Sequence, residues 1–179
     1  QRSELAHELA SALWRAGRHG DMVELLERTI EQVPAGSTEQ AALWLALANA
    51  HEQGTQDGAS ACEAFEQAAA VVPSDPRVVS GLERLLRKSE RWDELRAHLA
   101  RSAAASDPAS AVLLHCQRGS LEIEQFQDLD AARACFEAAL SLDADCPTAR
   151  QGLERIALAL GDDDALLDAF EREAAITAD

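Results

Sequence analysis

The chain has 179 residues, a formal charge of −16 and a pI near 4.6, a balance that repels phosphate backbones and anionic lipid surfaces and argues against a nucleic-acid partner. It contains no run of about 18 uncharged apolar residues to span a bilayer, and no basic stretch leading into an apolar core as in a signal peptide. Hydrophobic residues make up 47% and aromatic ones only 4%, with no Tyr, which favours closely packed helices over a thick aromatic core or a sheet.

The first apolar periodicity starts near Ser3, with Leu9, Ala10 and Leu13 on one helix and Met22 and Leu26 on a second, closed by Pro34. Gly17 and Gly20 bracket the turn between them. Ser37 and Gln40 form a capping box for a helix through Trp44, Leu47, Ala48 and His51. Gly54 and Gly58 mark a slightly long hairpin turn, and the next helix carries Ala61, Phe65 and Ala68 before Pro73. Asp75-Pro76 and Asp107-Pro108 each read as an N-cap followed by a first helical residue that needs no backbone donor. Between them lie Val79, Leu82 and Leu86, then Trp92, Leu95 and Leu99. The following helix turns Leu113, Cys116, Ser120 and Ile123 inward and pairs with one bearing Ala132, Phe136 and Ala139. Pro147 opens a last pair, with Leu153, Ile156 and Leu160, a Gly161-Asp162 turn, and then Leu166, Leu167 and Phe170. About ten helices result, in antiparallel pairs with short connections.

The chain repeats itself. Ala61-x3-Phe65-x2-Ala68 returns as Ala132-x3-Phe136-x2-Ala139, and Gly81-Leu82-Glu83-Arg84-Leu85 as Gly152-Leu153-Glu154-Arg155-Ile156, each displaced by 71 positions. A cassette of two helical pairs is duplicated.

Trp44-x2-Leu47-Ala48-x2-His51 followed by Ala61-x3-Phe65-x2-Ala68 and Pro73 resembles the tetratricopeptide repeat, whose period is about 34 residues. The resemblance covers essentially the whole chain. It is good in the second and fourth units and degenerate in the first, third and fifth, where Met22, Leu95 or Leu166 stands for the Ala that heads the second helix. It implies an all-α fold, an α-solenoid of stacked antiparallel helix pairs in a right-handed superhelix. One domain over 1–179 would hold repeats at about 3–36, 41–74, 76–109, 113–146 and 147–179. The alternation of good and poor repeats is similar to the paired arrays of large Ala- and Arg-rich bacterial scaffold proteins. Because the chain begins at Gln1 and stops just after a helical pattern, it is expected to be a fragment of a longer protein, cytoplasmic in location.

In this family the first helix of each repeat lines a concave groove that receives a peptide or partner helix. By register the first unit then offers Glu4, His7, Ser11 and Trp14, and the second Ala42, Leu45, Asn49 and Glu52. The fourth offers Leu114, Gln117, Leu121 and Glu124, and the fifth Thr148, Gln151, Arg155 and Leu158. The third presents Arg77, Ser80, Arg84 and Arg87 with Lys88 alongside, a basic stripe in an acidic protein. Guanidinium groups there suit bidentate pairing with the carboxylates of an acidic peptide. Alternatively they form a solvated face neutralised by Glu83, Glu90 and Glu94. Asn49 matches one position of the family's carboxylate clamp, but Leu45 stands where the clamp lysine belongs.

No catalytic constellation is legible. The histidines are scattered, and the adjacent His115 and Cys116 diverge by about 100° on a helix. Asp162-Asp163-Asp164 lacks the frame of a calcium loop and reads as capping of the last helix. The four cysteines form no Cys-x2-Cys pair and read as small helix-face hydrophobes; a Cys116–Cys135 disulfide across a hairpin is the alternative. Neither metal nor cofactor is expected. The leading reading is a non-catalytic protein-interaction module. The alternatives are a self-associating structural spacer or a regulatory domain of an attached enzyme.

Overall fold

The structure, a computed structural model, describes residues 2–162, with side chains from Glu8 onward. Among these residues there are nine α-helices and no strand. They are α1 (Arg2–Arg15), α2 (His19–Ile30), α3 (Thr38–Asn49), α4 (Gly58–Val71), α5 (Pro76–Lys88), α6 (Trp92–Ala105), α7 (Pro108–Leu121), α8 (Leu129–Leu142) and α9 (Pro147–Leu160). The expected tenth helix, with Leu166, Leu167 and Phe170, lies outside the described residues. The chain forms two compact units, Gln1–Leu95 and Arg96–Asp179.

Each unit is built around one phenylalanine. In the first, α4 packs against both α3 and α5, and Phe65, 1% exposed, lies so close to Gly81 of α5 that a Cβ there would overlap its ring. In the second, α8 packs against α7 and α9, and the Phe136 ring is held between two glycines. A Cβ would lie 2.7 Å from it at Gly119 and 2.5 Å at Gly152. Burying a phenylalanine contributes about 2–3 kcal/mol, and the missing side chains let neighbouring helices close on the ring.

The duplication extends to backbone detail. The chain continues α3 as a π-helical segment over Ala50–Thr55 and α7 as one over Glu122–Phe126. Each ends at a left-handed glutamine, Gln56 at φ 58° and Gln127 at φ 55°. The next residue caps the following helix: Asp57 accepts from the Ser60 amide at 3.1 Å and Asp128 from the Ala131 amide at 2.9 Å. The expected loop at Gly54 is thus helix. Gly54 is small there because His19 lies against it, with a Cβ falling 2.8 Å from the imidazole Cγ.

Other local expectations hold with small shifts. Asp75 accepts from the Arg77 amide at 2.9 Å, and Asp107 from Ala109 and Ser110 at 3.1 Å. Ser37 accepts from the Gln40 amide at 3.1 Å, but the Gln40 side chain accepts from Gly36 rather than Ser37, at 2.9 Å. Gly17 is left-handed and turns the chain, whereas Gly20 lies inside α2. Gly161, at φ 68°, ends α9.

Candidate protein interface

In the first unit the third repeat's stripe lies on the exposed face of α5. Arg77, Ser80, Arg84 and Lys88 are exposed and Arg87 is half-buried, because Val78, Gly81, Leu82, Leu85 and Leu86 occupy the opposite face and are buried. Each of the three arginines holds a carboxylate of this chain. Arg77 donates to Asp75 at 2.8 Å, and Arg87 to Glu83 at 3.1 Å. Arg84 grips both oxygens of Glu52, with its Nη2 2.9 Å from Oε2. Glu52 sits on the π-helical extension of α3, so this pair brings two first helices of the unit together. The Arg77 guanidinium holds the Asp75 carboxyl below its ordinary value of 3.8.

The other expected residues of this unit divide. Trp14 is 36% exposed, its ring centroid 4.6 Å from that of His19. Asn49 is half-buried and donates to the Leu45 carbonyl at 2.8 Å, so its amide is engaged within its own helix. Leu45 is only 6% exposed and is corrected from a groove residue to a core residue. The side chains of Glu4 and His7 lie outside those described.

Comparison of the sequence with protein-family models and with curated proteins finds no match. Solved structures match over nearly the full length. One titled "MamA MSR-1 C2" is 18% identical, covers 99% of this chain and 97% of its own, and has a TM-score of 0.56. A putative kinesin light chain with nearly identical TPR-like repeats from Podosopora anserina is 20% identical, over 99% of this chain and 95% of that one, with a TM-score of 0.55. A tetratricopeptide repeat protein from Parabacteroides merdae is 16% identical, over 99% of this chain and 68% of that one, with a TM-score of 0.63. This is the tetratricopeptide-repeat fold.

Placing the second unit on that fold corrects the fourth repeat. The matched caps at Asp57 and Asp128 make Leu113, Cys116, Ser120 and Ile123 the equivalents of Ala42, Leu45, Asn49 and Glu52. The expected set Leu114, Gln117, Leu121 and Glu124 is therefore one residue out, a rotation of about 100°. Accordingly Leu121 is fully buried, Leu114 is 5% exposed, and Gln117 is half-buried. Leu113, expected inward, is 61% exposed and stands at the position equivalent to Ala42. In the fifth repeat Thr148, Gln151, Arg155 and Leu158 are all exposed as their register implies.

Each unit also holds a charge cluster, half-exposed around Arg91 in the first and centred on a buried glutamate in the second. Arg91 reaches Cys62, Glu66 and Glu94, and the hydrogen bonds it donates to the Glu94 carboxylate raise its pKa further. Glu122, fully buried, has Arg118 at 3.5 Å and Arg96 at 3.6 Å, and Arg96 in turn lies 4.1 Å from the Phe126 ring centroid. No group of three metal-ligating side chains occurs among the described residues, nor a helix long and apolar enough to cross a membrane.

Proposed function

We propose that the chain is a non-catalytic protein-interaction module of a larger bacterial scaffold or regulatory protein, cytoplasmic in location, which receives an acidic peptide or helix along its first-helix faces. The observation that carries this reading is the α5 stripe. Arg77, Arg84 and Arg87 project from a surface helix and already hold carboxylates in the geometry a partner would use. The arginine ends of these pairs are at least 38% exposed while the carboxylates are largely shielded; solvent screening at the arginines keeps each pair to about 1 kcal/mol, so a partner carboxylate competes with the internal one. Lys88 adds an exposed ammonium beside them. A chain of charge −16 attracts an acidic partner only where such a stripe inverts the local field.

Calorimetric titration with a glutamate-rich helical peptide tests the reading. Wild type binds with an affinity that falls as salt rises, and Arg84→Glu with Arg87→Glu abolishes the heat. Equal binding by both proteins refutes the site. A second reading, self-association as a spacer, is favoured by the apolar side chains on the second unit's first helices. Leu113 and Leu158 are 61% and 59% exposed, and Leu113→Asp with Leu158→Asp would then return sedimentation to the monomer.

A further inference from the structure

The two units differ at one pair of positions in a way that packing does not explain. Leu45 and Asp75 of the first unit have Cys116 and Cys146 as their counterparts, 71 positions on. Leu45 is an ordinary core side chain, and Asp75 caps α5. Cys146 occupies the N-cap of α9 and makes no side-chain capping bond. An N-cap is favoured for its side-chain oxygen, so this position has given up the contact its counterpart makes. The Cys146 side chain instead meets Cys116, Sγ to Sγ 3.8 Å, with both residues buried. The cysteines are buried as expected of helix-face hydrophobes, and in place of the alternative Cys116–Cys135 pairing the contact joins sulfurs 30 residues apart, one on α7 and one at the head of α9. All four cysteines are free thiols.

We propose that Cys116 and Cys146 are a site of reversible oxidation by a peroxide, closing to a disulfide that staples α7 to the start of α9. The sulfurs need to approach by about 1.8 Å from their 3.8 Å contact to reach bonding distance. Cys146, at the head of α9 beside the turn, takes the first oxygen, and Cys116 on α7, whose thiol burial pushes up, resolves it. The Cys146 sulfur takes one peroxide oxygen, the O–O bond breaks, and water leaves with the thiol proton. Cys116 then displaces the sulfenic oxygen as a second water. With hydrogen peroxide, two thiols and one peroxide yield one disulfide and two waters. Because the fold stacks repeats through nearest-neighbour interfaces, the bond locks one such interface against opening.

The test treats the whole folded chain with hydrogen peroxide, alkylates the remaining thiols and cleaves before aspartates. Asp143 and Asp145 separate Cys135 from Cys146, so the linked peptides are unambiguous. The expected product is a Cys116–Cys146 link, reversed by dithiothreitol, with a rise in the thermal midpoint of the oxidised chain. Cys116→Leu and Cys146→Asp, which install the first unit's own residues, fold normally and lose both the link and the rise. A Cys116–Cys135 link overturns the proposal. So does sulfinic acid at Cys146 with Cys116 still alkylated, or a link that forms only in denaturant.

Discussion

Gly152→Ala puts the central packing element of the second unit to a quantitative test. Inside a helix, alanine in place of glycine contributes about 1 kcal/mol through propensity alone. At Gly152 the new Cβ would lie 2.5 Å from Cε2 of Phe136, well inside van der Waals contact. The ring cannot retreat, because Gly119 faces it from α7, where a Cβ would itself be only 2.7 Å away, and Phe136 is 1% exposed. Overpacking of this kind costs about 1–3 kcal/mol, so the steric effect exceeds the propensity gain and the net loss is about 1–2 kcal/mol. Gly20→Ala is the control: no atom lies within 4 Å of its Cβ, and it stabilises by up to about 1 kcal/mol. Urea denaturation followed by circular dichroism measures both. All three tryptophans lie in the first unit, so their fluorescence separately reports Gly81→Ala, the equivalent change against Phe65. Phe136→Leu combined with Gly152→Ala should cost less than the sum of the single changes, since the two sites are in contact. If Gly152→Ala stabilises the chain as Gly20→Ala does, the closed glycine slot is wrong.

Asp75 supplies a pH prediction. Its folded pKa lies below 3.8 because of Arg77, so its contribution is fully present above 3.8 and is lost as pH falls through the lower folded value. Asp75→Asn should flatten the acid limb of a stability profile, and an unchanged limb would remove Asp75 from the account. Glu122→Ala deletes the buried carboxylate between Arg96 and Arg118. Those arginine side chains are 37% and 32% exposed and regain water, so the loss should be about 2 kcal/mol rather than that of a wholly buried pair, read as a shift in denaturant midpoint. The double reversal Arg84→Glu, Arg87→Glu sets new carboxylates against Glu52 and Glu83, so the thermal midpoint should fall modestly while circular dichroism stays helical, because α5 buries its other face.

The repeat was legible in the sequence where geometry leaves no freedom. Phe65 and Phe136 need a small residue on the next helix, so Gly81 and Gly152 recur with them, and Asp75-Pro76 has no good use other than starting a helix. The π-helical extensions left no such mark. Glu122–Phe126 holds neither glycine nor proline, while Gly54 lies inside Ala50–Thr55 and so read as a turn. A one-residue phase error then displaced the fourth repeat's face, although the 71-residue displacement already pointed to Leu113. Leu45 was misplaced for another reason, since burial depends on how neighbouring helices cover a face and not on spacing along one of them. Glu52 with Arg84, and Cys116 with Cys146, join residues 32 and 30 positions apart, and no local pattern announces them.

The most direct test of the interaction reading is a crosslinking pull-down from lysate of the source organism, with the wild-type chain and the Arg84→Glu, Arg87→Glu variant as parallel baits and the crosslinks mapped. The account predicts a partner bearing an acidic segment, captured by wild type, crosslinked at α5 through Lys88 and absent from the variant. Equal recovery of that partner by both baits, or crosslinks that avoid α5, would contradict it.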